Sequence, residues 1–204
     1  RGKGCQRMSI NPQTMNDKVL EGVGRRHTAE DIVRCYEMAR KVSDFMINMD
    51  LIAGLPGDND ESLIDSVRRV AALDPDNITI HCLARKRGAR LYFGPTGVLP
   101  SETLDACYAI LAEKGYEPYY LYRQKYMAGG LENVGFCKPG AASHYNICMM
   151  EELSDVIALG AGGVSKLCSE GGRMVNRAAN PKFPMEYIER IETIADGITP
   201  LLDE

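Results

Sequence analysis

Residues 47–62 read INMDLIAGLPGDNDES, an apolar run that meets one acid at Asp50, passes through Gly-Leu-Pro-Gly and opens a helix near Asp60. The run from about Phe45 to Ala53 predicts a buried strand. A carboxylate inside such a strand costs several kcal/mol unless it is paired or bound. Two readings of Asp50 therefore stand on the residues alone: it caps or pairs with a neighbouring strand, or it meets a ligand.

Working outward, the same grammar repeats. Upstream, CQRMSI (5–10) predicts a strand and Asn16 to Gly24 a short helix closed by glycine. HTAEDIVRCYEMARKV (27–42) predicts a helix that starts at Thr28 as N-cap, with Asp31 at its third position as a capping-box acid. Ile32, Cys35, Tyr36 and Ala39 share one face of it. Downstream, Leu63, Ile64, Val67, Val70 and Ala71 recur at helical spacing, and NITIHCLA (77–84) predicts a third strand. Strands separated by amphipathic helices imply parallel, right-handed crossover units. Their apolar character is read as burial on both faces.

Past Ala84 the pattern changes. RKRGARLYFGPTGVLP (85–100) is a Gly/Pro-punctuated connection, and 101–115 predicts a helix with Leu104, Tyr108 and Leu111 aligned. YYLYRQKY, ENVGFCK, DVIALGAGGVSK and GRMVN then come as short strand-like runs without intervening helices. They predict a small mixed or antiparallel sheet. NPKFPMEYIERIETIAD (180–196) predicts a closing helix with Tyr187, Ile188, Ile191 and Ile194 on its core side. The expected division is an α/β domain over 1–99 and an α+β domain over 100–204.

Composition narrows the function. The 204 residues are 45% hydrophobic and 25% charged, within globular averages, and the net charge of −4 argues against a nucleic-acid binder held by bulk positive charge. Seven cysteines are spread without C-x-x-C spacing, which suits a reduced, cytoplasmic protein. No uninterrupted apolar run is long enough to span a membrane. His27, His81 and His144 lack ligand spacing and are expected to cap, pack or face solvent. Cys35 and Cys107 fall on apolar helix faces and are expected in the core.

The strand ends show a regularity. Gln13 lies just past the first strand, Asp50 near the end of the second and Ala84 at the end of the third, 37 and 34 residues apart (13 to 50, 50 to 84). In parallel α/β folds ligands bind at the carboxyl ends of strands, so these three positions are expected to face one ligand. Arg25 and Arg26, expected on the helix after the first strand, offer guanidinium forks for a carboxylate. Arg85, Lys86, Arg87 and Arg90 form a basic run at the same mouth, either an anion-binding rim or a solvated loop. Tyr116, Tyr119, Tyr120, Tyr122 and Tyr126 either pack a sheet face or stack on a planar ligand.

RMSINPQTMNDKVLEGVGRRHTAEDIVRCYEMAR, MDLIAGLPGDNDESLIDSVRRVAALDPDNITIHCLA, YEPYYLYRQKYMAGGLENVGFCKPG and IALGAGGVSK together resemble the oxygen-independent coproporphyrinogen III oxidase (coproporphyrinogen dehydrogenase) family of radical S-adenosylmethionine enzymes. The resemblance covers nearly the whole chain. It implies the C-terminal half of a partial (β/α)6 barrel followed by a small α+β closing domain. By the same resemblance Gln13 and Arg25 hold the methionine portion of S-adenosylmethionine, Asp50 binds ribose hydroxyls, Ile52 packs on adenine and the Ala84 backbone reaches adenine nitrogens. Asp50 is then an acid satisfied only when its ligand is bound.

The implied reaction is oxidative decarboxylation of coproporphyrinogen III to protoporphyrinogen IX in haem biosynthesis, with Arg85, Lys86, Arg87 and Arg90 facing the substrate's propionates. Flavodoxin or ferredoxin is the implied electron donor. The family's C-x-x-x-C-x-x-C motif, which holds a 4Fe-4S cluster, and its Gly-Gly-Thr-Pro segment have no match here. The chain is therefore expected to be a C-terminal fragment, inactive by itself, with no metal ligands of its own. A haem chaperone on the same scaffold is the rival. That branch carries a His-Asn segment followed by Tyr-Trp, whereas this chain has SHYNICMM (143–150) and no tryptophan.

Overall fold

The strand that contains Asp50 forms over Met46–Ala53 as β2 and lies between two parallel neighbours, β1 (Arg7–Ser9) and β3 (Asn77–Cys82). The computed structural model describes residues 4–84, 101–122, 132–169 and 174–202. Between β1 and β2 run α1 (Asp17–Gly22) and α2 (Ala29–Val42), and between β2 and β3 runs α3 (Asp60–Leu73). These are the expected crossovers, and their starts are the expected ones. The Thr28 hydroxyl accepts from the Asp31 N–H at 3.2 Å while the Asp31 carboxylate accepts from the Thr28 N–H at 2.9 Å, closing the capping box. The Asn59 side chain accepts from the Ser62 N–H at 2.9 Å and caps α3.

β2 is not buried alike on both faces, whereas β3 is buried throughout except at His81. Along β2, Ile47, Met49, Leu51 and Ala53 are buried, while Asn48, Asp50 and Ile52 between them are half-buried. The register pairs Asn48 with Asn77, Asp50 with Thr79 and Ile52 with His81, so one face of the sheet collects polar residues from both strands. The opposite face builds the core, where Ile47, Met49, Leu51, Ile78 and Ile80 pack with Ile32, Tyr36 and Ala39 of α2 and Leu63, Val67 and Val70 of α3. Each such side chain contributes roughly 1.5–3 kcal/mol by leaving water. The expectation of burial on both faces thus holds for β3 and is corrected for β2, and in both the alternation in Ile-Asn-Met-Asp-Leu and Asn-Ile-Thr-Ile-His sets one face to the helices and one to a polar interior.

The strands beyond Ala84 also depart from expectation. α4 (Ser101–Glu113) adds Leu104, Cys107 and Leu111 to the same core. β4 (Glu117–Tyr122) and β5 (Asn133–Cys137) do not form a sheet of their own. They extend the first one in the order β1-β2-β3-β5-β4, with β5 antiparallel to both β3 and β4. The chain divides into two compact units, one ending at Ala142 and the other beginning at Ser143, so β4 and β5, which follow the expected boundary at residue 100, lie in the first unit.

The second unit contains α5 (His144–Met150), the antiparallel pair β6 (Val164–Ser169) and β7 (Met174–Ala179), α6 (Pro184–Glu189) and α7 (Ile191–Leu202). The single closing helix expected over 180–196 is interrupted at Arg190. Ile188 and Ile191, expected on its core side, are 61% and 49% exposed. Cys35 is exposed rather than buried, while Cys107 is fully buried as expected. Among the described residues no helix is long and apolar enough to cross a membrane.

Candidate functional site

Beyond β1 the chain turns under Gln13 and closes onto β2. The Gln13 N–H donates to the Asp50 carbonyl at 3.0 Å, and the Gln13 carbonyl accepts from the Ile52 N–H at 2.8 Å. Gln13 is 9% exposed and holds φ at 70°, a left-handed conformation uncommon for a residue with a side chain. Such a conformation persists only where the surroundings enforce it, and it clusters at ligand sites. Three of the five residues expected to hold a cofactor, Gln13, Asp50 and Ile52, are thereby fixed side by side by backbone hydrogen bonds.

Ala84 joins them. Ile52 and Ala84 line one cavity of about 250 Å3, with His81, Cys82, Leu83, Tyr122 and Asn133 completing its wall. The Cys82 N–H donates to the Asn133 side chain at 2.7 Å, and the Leu83 N–H donates to the Ala53 carbonyl at 3.0 Å, which holds the strand ends together at the cavity floor. A mostly apolar pocket with a few convergent polar groups at parallel strand ends is the form of a small-molecule site.

Arg25 lies elsewhere in the chain's path. It was expected on the helix after β1 but sits in the loop between α1 and α2, exposed. Gly24, at φ 76°, reverses the chain there: the Gly24 N–H bonds the Glu21 carbonyl and the Arg25 N–H bonds the Leu20 carbonyl, a Schellman end. His27, two residues on, lies 3.2 Å through Nε2 from the Pro12 carbonyl, which ties this loop to the turn that carries Gln13. Arg26 shares the loop and is exposed. Arg85, Lys86, Arg87, Arg90 and Tyr126 lie outside the described residues.

Asp50 is not an orphan. Its Oδ1 accepts from the Asn48 side-chain N–H at 2.8 Å and lies 3.6 Å from His81 Nε2. Burial works to raise its carboxyl pKa, but the His81 and Asn48 contacts outweigh burial and hold it below the ordinary carboxylate value. The acid is ionised and partnered by its own sheet, so the expectation that only a ligand could satisfy it is corrected. The interstrand pairing that the residues alone left open is present.

The polar face extends further than the sequence indicated. Asn48 Oδ1 accepts from the Thr79 hydroxyl at 3.4 Å, and the Thr79 and Tyr120 hydroxyls lie 3.2 Å apart. On the other side of Asp50, His81 Nδ1 lies 3.0 Å from the Tyr122 hydroxyl. Both tyrosines come from β4 and reach β3 across β5. Tyr120 does so over Gly135, where a Cβ would stand 1.9 Å from one of its ring carbons, while Tyr122 is opposite Asn133. The Tyr120 and Tyr122 rings are nearly parallel at 7° with centroids 6.3 Å apart. Tyr119, by contrast, meets Tyr120 edge-on.

His81 is the residue whose place at the site sequence reasoning missed, and Tyr122, left open between sheet packing and a planar ligand, is its hydrogen-bond partner. The signal was the alternation in Asn-Ile-Thr-Ile-His, which places Asn77, Thr79 and His81 on one face. Without the register of β3 against β2, that face had no known occupant.

These residues fit the adenosine part of S-adenosylmethionine: an ionised acid, an apolar strand-end cavity and a backbone rim. They do not fit an iron–sulfur cluster. Among the described residues no group of three His, Cys, Asp or Glu side chains could hold a metal ion.

The Radical SAM superfamily profile matches residues 1–70. The chain is 39% identical over 204 residues to the "Oxygen-independent coproporphyrinogen-III oxidase-like protein HemZ" of Bacillus subtilis strain 168, covering 97% of this chain and 41% of that protein. It is 34% identical over 148 residues to the "Heme chaperone HemW" of the same organism, covering 71% of this chain and 37% of HemW. The solved structure of coproporphyrinogen III oxidase (HemN) from Escherichia coli superposes with a TM-score of 0.63 at 22% identity, over 95% of this chain and 44% of that one, and shares its mixed α/β fold. The chain thus spans less than half the length of each of these relatives.

Proposed function

We propose, for a chain that carries a radical SAM domain homologous to HemZ and the HemN coproporphyrinogen III oxidases, that the C-terminal ends of β1, β2 and β3 hold S-adenosylmethionine for oxidative decarboxylation of coproporphyrinogen III. The observation that supports this most is the continuity of four residues from three strand ends: Gln13 is bonded through its backbone to Asp50 and Ile52, and Ile52 lines a strand-end cavity together with Ala84.

In this reading each residue has a physical task. The Asp50 carboxylate accepts from ribose hydroxyls; because it is already ionised, no proton need leave it on binding. Ile52 packs against adenine, and the backbone at Ala84 meets the adenine edge. Gln13 and Arg25 hold the amino-acid end, where the guanidinium of Arg25 suits a carboxylate. Arg85, Lys86, Arg87 and Arg90 bind the propionates of a tetra-anionic tetrapyrrole. S-adenosylmethionine supplies hydrogen-abstracting chemistry when it is reduced at an iron–sulfur cluster. The thiolates for that cluster would come from outside these 204 residues, with flavodoxin or ferredoxin as the electron source.

Isothermal titration of the chain with S-adenosylmethionine tests the reading. Saturable binding is expected, lost in Asp50→Ala and weakened in Arg25→Ala, with unchanged thermal unfolding in Arg25→Ala. Binding that ignores Asp50 would refute it. The similarity to HemW favours a second reading, haem delivery on the same scaffold. A haemin titration that produces a stoichiometric Soret shift would support delivery, and a flat titration would leave the oxidase reading in place.

A further inference from the structure

We infer that His81, locked in one tautomer by Tyr122, is a positioning residue that aims the Asp50 carboxylate. Its purpose, orienting the acid toward ribose, rests on the function proposed above. The lock itself is a property of the chain without ligand.

The register sets up the contact. Asp50 pairs with Thr79, and His81 stands one same-face position further along β3. The imidazole reaches diagonally back, with Nε2 3.6 Å from Asp50 Oδ1. Its other nitrogen, Nδ1, lies 3.0 Å from the Tyr122 hydroxyl. The ring is therefore held between two groups on different strands, β2 and β4, with its plane at 64° to the phenol.

The two contacts together select the tautomer. A carboxylate offers only lone pairs, so an unprotonated Nε2 facing Oδ1 would set lone pair against lone pair. With Nε2 carrying the proton, Nδ1 must accept, and the phenol is the group placed to donate to it. The order Tyr122 O–H to Nδ1, then Nε2–H toward Oδ1, is the one arrangement of a neutral ring in which both contacts attract. It has the same logic as a catalytic histidine whose orientation is set by the partner of its far nitrogen.

Asn48 completes the device. Its side-chain N–H meets the same Oδ1 at 2.8 Å from the opposite direction along β2. One hydrogen bond from Asn48 and the imidazole 3.6 Å away on the other side act on the same oxygen, which biases the rotation of the carboxylate and the direction of its second oxygen. His81 and Tyr122 also line the strand-end cavity, which puts the lock beside the space it serves.

The experiment reads the tautomer directly. Long-range 1H–15N correlation on a chain labelled at histidine, at about pH 8 where a free imidazole is neutral, is expected to show His81 as the Nε2–H form. In Tyr122→Phe and in Asp50→Asn that form should give way to a mixture, with thermal unfolding checked in each variant. An Nδ1–H ring, or 15N shifts that ignore both substitutions, would overturn the inference.

A matched pair of substitutions then separates the lock from the ligand. His81→Gln can keep an N–H near the place of Nε2, whereas His81→Asn keeps one near Nδ1 only. S-adenosylmethionine affinity is expected to fall about tenfold in His81→Asn, the scale of one hydrogen bond, and by no more than about threefold in His81→Gln. Equal losses would overturn the positioning role. The tautomer signature in a chain that binds no S-adenosylmethionine would instead refute the cofactor reading and leave the lock standing.

Discussion

The two ends of the parallel strands carry comparable sets of polar residues and use them in opposite ways. At the N-terminal ends, the groups close on one another. Arg7 donates to the Asn77 side chain and to the Ala141 carbonyl, Asn77 donates to Ala141 at 3.0 Å, and Arg40 joins Tyr36, Phe45 and Asp76. Lys138 caps the cluster, 2.8 Å from Asp74 and 4.3 Å above the Tyr116 ring. From Asn48, level with Asn77, a chain of Asp50, Thr79 and His81 runs toward the C-terminal ends and out beside a cavity. One end consumes its hydrogen-bonding capacity internally, which stabilises the fold. The other runs out beside a cavity, where the proposed function assigns it a ligand.

The largest expected effect therefore belongs to the closed end. Asn77 is fully buried, and Asn77→Ala removes one hydrogen bond each from the Arg7 guanidinium and the Ala141 carbonyl, which keep their bond to each other, so a loss of about 2–3 kcal/mol is expected by urea unfolding. S-adenosylmethionine affinity of the folded protein should not change. A loss below about 0.5 kcal/mol would show that this end is not the closed structure described.

Gly135→Ala comes next. A methyl there collides with the Tyr120 ring, so a cost of roughly 1–3 kcal/mol is expected. Most of it should disappear when Tyr120 is also cut to alanine, a coupling that a double-mutant cycle measures. Additive losses would mean that the ring does not cross Gly135.

At the open end, Asp50→Asn should change unfolding by less than about 1 kcal/mol, because the carboxylate has only modest partners to lose. The same substitution should weaken S-adenosylmethionine binding by about tenfold or more. A stability loss as large as that of Asn77→Ala would erase the distinction between the two ends.

The smallest effect is on acid stability. The folded Asp50 carboxyl has its pKa held below the ordinary 3.8, so its contribution is fully present above that value and fades as pH falls through the lower folded value. Wild type should therefore lose more stability than Asp50→Asn between pH 3.8 and the acid limit of folding. The alkaline side has the opposite sign. Burial pushes the Cys82 and Cys107 thiols up to about 11 from 9.0, so stability falls as pH rises between those values, where only the unfolded thiols ionise. Parallel acid unfolding curves for the two proteins would contradict the Asp50 contacts.

Much of the first unit was legible in the sequence because its signals are local. The Thr28–Asp31 capping box, the apolar stripe of α3 and the Gly24 turn each depend on residues a few positions apart. The strand-end spacing of Gln13, Asp50 and Ala84 was legible for the same reason, since one crossover fixes one interval. What could not be read is long-range. Nothing in YYLYRQKY says that Tyr120 crosses a glycine on β5 to meet β3, because that contact depends on a strand order set by the whole sheet. His81 was passed over because its partners, Asp50 and Tyr122, lie 31 and 41 residues away (50 to 81, 81 to 122). Ile188 and Ile191 show the converse: helical spacing marks an apolar face, but spacing alone does not state that the face is buried.

The most direct test is an amide chemical-shift map of the chain titrated with S-adenosylmethionine. The expected result is a set of saturable shifts at Gln13, Asp50, Ile52, His81, Ala84 and Tyr122, with Arg7, Asn77 and Ala141 unmoved. Shifts spread evenly over both strand ends, or none at the Asp50 end, would contradict a cofactor site at the open ends of the parallel strands.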